Sequence, residues 1–311
     1  MFAKYEFFLA SEADGLNLSV LAMLPAEKPY KGVVQLVHGM CENKERYLPF
    51  MNFLAENGYV SVIHDHRGHG QSVKDKADLG YMYGGGAKAI VQDIHTVNQK
   101  IHEYFPVLPV TLFGHSMGSL AVRAYTAQHD DQIDKLVVCG SPSENPASGV
   151  GEFLAKIEGK LRGMKHKSTL LTGIALGSNN NNFKAEGENA WLCTDPEICK
   201  AYNASEYCGF LFTDDGFLGL FGLMKGAYDV TGFKCSNPSM PVLFISGEDD
   251  PCRGNNELFG KAVKSMRRAG YQRVKGKLYP GMRHEILNER EKEKVFKDVL
   301  IFLENRGIFK D

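Results

Sequence analysis

Ser116 lies inside Gly114-His115-Ser116-Met117-Gly118, between the apolar run Val110 to Phe113 and the residues Leu120, Ala121, Ala124 and Tyr125, which recur at helical spacing. That order predicts a strand, a tight turn and a helix, with the serine hydroxyl raised at the turn. Glycine at 114 and 118 removes Cβ atoms that would otherwise collide across it. The helix starting at Met117 would direct its positive dipole end to the same place, where the Met117 amide could stabilise an oxyanion. A serine hydroxyl is a weak nucleophile at neutral pH and needs a histidine base, itself oriented by a carboxylate.

Such partners come from loops at the carboxyl ends of parallel strands. Asp250 follows the apolar strand Pro241 to Ile245, and His284 follows the strand Val274 to Tyr279. Asp249 is the adjacent rival acid, although neighbouring residues point apart. A different chemistry is suggested by His64-Asp65-His66-Arg67-Gly68-His69, whose imidazoles could ligate zinc. Zinc hydrolases of the metallo-β-lactamase type need an acid immediately before the last histidine, where Gly68 stands, so no metal is expected. Arg67 and His69 are instead expected to brace the loop beneath the serine.

The elements that must position these residues are legible as periodicity. Tyr5 to Leu9 and Asn17 to Leu24 flank Ala13-Asp14-Gly15 as a hairpin. Strands follow at Lys31 to His38, Tyr59 to Ile63 and Leu136 to Cys139, and helices at Tyr47 to Asn57 and from Ala87 to Pro106. The alternation implies a mostly parallel sheet flanked by helices. It lapses from 143 to 236, where glycine, asparagine and aromatic residues dominate and helical fragments are expected at Phe153 to Leu161 and Pro196 to Asn203. The division expected is therefore core 1–142, an inserted cap 143–236, and core 237–311. The second core segment brings helices near Glu257 to Ala269 and Glu289 to Asn305.

Composition narrows the function classes. With 36 basic and 37 acidic residues the formal charge is −1, which gives no global attraction to nucleic acid or an anionic membrane. No run of 18 apolar residues and no signal peptide is read, so a cytoplasmic protein is expected. The seven cysteines are odd in number and lack a Cys-x-x-Cys pair, which favours free thiols, with a disulfide left open among the four between 193 and 235. The basic run Lys156, Lys160, Arg162, Lys165, His166 and Lys167 reads as a solvated helix face, or as peripheral contact with a lipid surface. No oligomeric state is specified.

Six pieces in order, His38-Gly39-Met40, Asp65-His66-Arg67-Gly68-His69-Gly70-Gln71-Ser72, Gly114-His115-Ser116-Met117-Gly118, Trp191-Leu192 with Asp195, Gly247-x-x-Asp250-Pro251 and His284-Glu285, make the chain resemble the α/β-hydrolases. The branch resembled holds monoacylglycerol lipases, lysophospholipases and serine aminopeptidase-like proteins. The resemblance implies an eight-stranded α/β-hydrolase sheet with a mainly helical cap, a nucleophile Ser116, acid Asp250, base His284, and oxyanion amides from Met40 and Met117. The triad order is the one such a fold uses. No metal or organic cofactor is implied. The aromatic cap points to a hydrophobic acyl ester, with Phe153, Trp191, Phe210, Phe212 and Phe217 as candidate substrate contacts. Two departures stand out: Cys41 replaces the second glycine of the common His-Gly-x-Gly-Glu form, and Cys252 replaces a commoner aliphatic, which predicts sensitivity to thiol reagents. Peptide cleavage from an amino terminus is the alternative, and would use Glu152, Glu186, Glu188 or Glu206 to hold an ammonium. A catalytically silent ligand-binding relative is the other.

Overall fold

The computed structural model describes residues 2–305; Met1 and residues 306–311, the outermost positions of the two expected core segments, lie outside it. The first part of the chain runs β1 (Phe2–Ala10), β2 (Asn17–Pro25), β3 (Gly32–Val37), α1 (Leu48–Glu56), β4 (Tyr59–His64), α2 (Gly86–Tyr104), β5 (Val110–His115), α3 (Met117–His129) and β6 (Lys135–Cys139). Helices α4 (Ser148–Arg162), α5 (Thr169–Leu176), α6 (Pro196–Ala204) and α7 (Asp214–Tyr228) follow. The chain then adds β7 (Val242–Gly247), α8 (Asn256–Arg268), β8 (Val274–Tyr279) and α9 (Lys292–Leu303).

All eight strands form one sheet in the order β1-β2-β4-β3-β5-β6-β7-β8. The β1–β2 and β2–β4 pairs are antiparallel and the rest are parallel. Strands β3, β4, β5 and β7 are buried along their whole length, which is why they read as mostly apolar runs without in–out alternation. One face packs against α2, α3, α7 and α8 and the other against α1 and α9, so the core has two layers around the sheet.

The segment 143–236 is helical, as expected, but α5 and α7 escaped the periodicity. Helix α7 carries Gly216, Gly219, Gly222 and Gly226, residues that ordinarily weaken a helix. Each faces a close neighbour: an added Cβ would lie 2.3 Å from Gly80 O, 2.5 Å from Met82 Sδ, 2.9 Å from Ala87 Cβ and 3.1 Å from Ala124 Cβ, respectively. The glycine stripe lets α7 lie directly on α2 and α3, so packing replaces the lost intrinsic propensity. All seven cysteines are unpaired, those between 193 and 235 included. Among the described residues no helix is long and apolar enough to cross a membrane.

Candidate active site

Strand β5 ends at His115, α3 begins at Met117, and Ser116 between them holds φ +53° and ψ −120°. Its glycines let the turn close on itself and lie against the end of β3. A Cβ on Gly114 would lie 2.3 Å from Gly118 O, and one on Gly118 2.2 Å from Val37 O.

His284, in the loop after β8, places Nε2 2.8 Å from Ser116 Oγ and Nδ1 3.0 Å from each Asp250 oxygen. Asp250 is itself held, Oδ1 accepting from Cys252 N at 2.8 Å and Oδ2 from Ser246 Oγ at 2.9 Å. Both Asp250 and His284 are buried, whereas Asp249 is exposed. An ionised carboxylate only accepts, so His284 donates from Nδ1 and keeps the Nε2 lone pair for the serine proton. The arrangement can move a proton from Ser116 to His284 while the charge that develops on the imidazole is balanced.

Opposite, the loop after β3 holds Met40 between two committed amides. Gly39 N donates to Glu42 Oε1 at 2.6 Å, and Cys41 N donates to His69 Nε2 at 3.2 Å. Among the described residues the Met40 and Met117 amides have no protein acceptor. Cys41 keeps a glycine-like backbone, φ +55°. Its Sγ donates to Phe210 O at 2.9 Å, and its carbonyl accepts from Gly209 N and Tyr202 Oη at 3.0 Å each. Tertiary partners thus replace the glycine the loop would ordinarily use.

His66 and His69 brace this loop. His69 Nδ1 donates to Arg67 O at 3.0 Å, leaving Nε2 as the acceptor for Cys41. His38 Nδ1 donates to Gly39 O at 2.8 Å and Nε2 accepts from His66 N at 2.9 Å. Burial brings His38 down to about 3 and His69 to about 4, so both work as neutral rings. The rings of His64, His66 and His69 pack edge to face at 5.4 and 5.9 Å and do not converge on a point. Arg67 anchors the same loop to α2 and the hairpin through Asp93 at 2.7 Å and Asp14 at 2.9 Å.

Sequence reasoning missed a polar hub beneath the serine. Glu42 accepts from Gly39 N, Tyr47 Oη at 2.9 Å, Arg46 at 2.7 Å and His115 Nδ1 at 3.2 Å. Arg46 forks onto Glu285 at 2.6 and 2.5 Å, and His115 Nε2 lies 3.2 Å from His284 O. Burial alone would raise Glu42, but the His115 hydrogen bond and the Arg46 charge hold it well below the usual carboxylate range. Burial likewise opposes charging of His115, yet the bond to Glu42 outweighs it and raises the imidazole. The sequence signals were that Glu42 closes the His-Gly-x-Gly-Glu form and that His115 and Glu285 lie inside quoted motifs.

Ser116 opens into a cavity of about 360 Å³ whose walls include Trp191, Ile174, Leu220, Phe221 and Met224. Trp191 lies with its ring centroid 5.0 Å from that of His284. The other four candidate contacts do not line it. Phe153 points to solvent at 62% exposure, Phe210 packs behind the loop after β3, 5.2 Å from His69, and Phe212 and Phe217 are buried in the core. Residues α7 presents, Leu220, Phe221 and Met224, take their place because this helix lies on the core with one face toward the serine. Cys252 lines the cavity, its Sγ accepting from Asn179 Nδ2 at 3.3 Å, and burial pushes its thiol well up, so little thiolate forms for reagents to attack. Glu152, Glu186, Glu188 and Glu206 are absent from the lining; Glu186 is paired with Arg283 at 2.7 Å. The acids that do border the cavity are the committed Glu42 and Glu285, and Glu144 on the exposed rim.

Residues 28–291 match the sequence model of a family described as serine aminopeptidase, S33. The chain belongs to this family. It is an α/β-hydrolase of the monoacylglycerol lipase-like branch. The hydrolase is 29% identical over 277 residues to a monoacylglycerol lipase of Mycolicibacterium smegmatis, covering 86% of each chain. It is 26% identical over 200 residues to the human monoglyceride lipase, covering 61% of this chain and 59% of that protein. A thermostable carboxyl esterase from Bacillus coagulans, solved with glycerol, superposes with a TM-score of 0.89 at 27% identity over 97% of this chain and 98% of its own. A soluble variant of the Saccharomyces cerevisiae monoglyceride lipase shares the fold, with a TM-score of 0.73 at 19% identity over 99% of this chain and 96% of its own.

Proposed function

We propose that the protein is a serine hydrolase that cleaves carboxylic esters with a hydrophobic acyl group, of the monoacylglycerol or lysophospholipid kind, through an acyl-enzyme. The observation that carries this is the 2.8 Å contact between Ser116 Oγ and His284 Nε2 on the floor of a cavity walled by aromatic and aliphatic side chains. Ser116 Oγ attacks the ester carbonyl as His284 takes its proton, and the Met40 and Met117 amides hold the resulting oxyanion. The tetrahedral adduct collapses, its carbon–oxygen bond breaks, and His284 returns the proton to the departing alcohol. Water then attacks the acyl carbonyl with His284 as base, and the fatty acid leaves with Ser116 restored. Asp250 holds the imidazole in the required orientation throughout.

The cap supports a lipid source for that ester. Helix α4 exposes Val150, Phe153, Ile157 and Leu161 as one stripe, and α5 exposes Leu170 beside the cavity-lining Ile174. Lys156, Lys160, Arg162, Lys165 and Lys167 lie on or next to α4, the composition of a surface that rests on a lipid interface. None of the four acids proposed for ammonium binding lines the cavity, which favours esters over amino-terminal peptides. A fluorophosphonate probe tests the chemistry: wild type labels and Ser116→Ala does not, and labelling that survives the substitution overturns the reading. p-Nitrophenyl esters of increasing chain length, run beside aminoacyl anilides, test the substrate class. Rates should rise into medium or long acyl chains, and a preference for anilides would replace the ester assignment.

A further inference from the structure

Strand β1 is an edge of the sheet, paired among the described residues only with β2, from Phe2↔Pro25 to Ala10↔Asn17. Its outer side therefore presents free backbone donors and acceptors, and its side chains are largely exposed, Tyr5 at 54% and Phe8 at 59%. Soluble proteins ordinarily blunt such edges with brevity, proline or lysines. The opposite edge follows that rule, since β8 has six residues and carries Lys275 and Lys277. By contrast β1 has nine residues, Phe-Ala-Lys-Tyr-Glu-Phe-Phe-Leu-Ala, with no proline, four aromatics and a single lysine that a neighbouring glutamate offsets.

We propose that β1 is a homodimer interface, in which two copies pair antiparallel about a two-fold axis through Tyr5 and join their sheets. The charges select that axis. A two-fold perpendicular to an antiparallel pair sets one residue opposite its own mate, because bonded and non-bonded pairs alternate along the ladder. With Tyr5 at the centre, Lys4 faces Glu6 of the second copy and Glu6 faces its Lys4. Phe2 then faces Phe8, and Ala3 faces Phe7. Shifting the axis by one residue sets Lys4 against Lys4, or Glu6 against Glu6, and like charges directly opposite are destabilising. The Lys4–Glu6 contact of 2.6 Å within one strand would be exchanged for cross-strand pairs.

The apolar groove beside the edge fits the same partner. Tyr5, Phe7 and Leu9 line it with Val97, Ile101 and Tyr104, enclosing about 280 Å³. Side chains two apart share a sheet face, so pairing about Tyr5 brings Tyr5 and Ala3 of the second copy to its mouth.

Sedimentation velocity across a concentration series, with melting curves to verify folding, tests this. Wild type should be dimeric, and Lys4→Glu or Glu6→Lys should each weaken the dimer at least about tenfold, the effect of about 1.4 kcal/mol. Combining both substitutions restores opposite charges across the axis and should restore the dimer. Tyr5→Cys should crosslink under mild oxidation, because directly opposed residues have Cα atoms about 4.5–5.5 Å apart. Phe8→Cys should not, since Phe8 faces Phe2. A wild type that stays monomeric to about 100 μM, a dimer indifferent to the single reversals, or crosslinking through Phe8→Cys in place of Tyr5→Cys would overturn the proposal.

Discussion

Ser116 occupies a backbone conformation, φ +53°, that a side chain resists at a cost of about 1–3 kcal/mol. Ser116→Ala retains the Cβ and that strain, whereas Ser116→Gly releases it. We expect both to abolish ester hydrolysis and the glycine variant to be more stable than the alanine variant by about 1 kcal/mol, after the entropy glycine adds to the unfolded chain. Urea midpoints measure this, and equal midpoints would show the turn to be unstrained. Asp250 accepts from His284, Ser246 and Cys252 together, so Asp250→Asn disturbs the imidazole's tautomer with little change of shape. Turnover should fall about 10⁴-fold with KM little altered, and a loss under tenfold would remove Asp250 from the chemistry. Gly114 was legible because the clash it avoids, with Gly118 O, is local, whereas the clash Gly118 avoids is with Val37 O at the end of β3. The role of Cys41 was not legible, because what lets a cysteine hold φ +55° is Phe210, Gly209 and Tyr202, all distant in sequence.

Strand β4 delivers His64 into the core with neither ring nitrogen hydrogen-bonded among the described residues, and burial lowers it to about 4. Above about pH 6.5 His64 is neutral folded or unfolded, and its effect on stability is constant. As pH falls from 6.5 toward 4, the unfolded chain takes a proton that the folded chain refuses, and stability is lost at about 1.4 kcal/mol per pH unit for each such histidine. His38 and His69 act in the same direction. The urea midpoint should therefore drop between about pH 7 and pH 5, and less steeply in His64→Leu; an identical slope would exclude His64. Glu42 joins the turn after β3 to His115 at the end of β5 and to Arg46 ahead of α1. Replacing it by glutamine leaves the Arg46 charge partly uncompensated and weakens the contact with His115, with an expected cost of about 3–5 kcal/mol. Thermal melting of Glu42→Gln checks this, and a melting point matching wild type would make the hub dispensable. Long periodic elements such as α2 were readable, whereas α7 was not, because its four glycines make sense only against α2, α3 and the loop before them.

At the scale of the whole molecule, the exposed stripe of α4 should matter only when substrate sits in an aggregate. Burying a leucine or phenylalanine side chain gains about 1.5–3 kcal/mol, so Phe153→Asp or Leu161→Asp should lower hydrolysis of vesicle-borne monoacylglycerol about tenfold or more. Hydrolysis of a soluble short-chain p-nitrophenyl ester should stay unchanged, and equal losses on both substrates would place these residues in folding instead. Sequence alone determined the alternating sheet, the elbow at Ser116 and the loops bearing Asp250 and His284, because strand and helix periods and turn chemistry act over a few neighbouring residues. Tertiary structure alone decided which aromatic residues reach the cavity. Helix α7 buries Phe217 in the core and presents Phe221 to the serine, a choice made by how closely its glycines seat it on α2 and α3. A residue's hydrophobicity records that it is to be buried, and only packing determines against what.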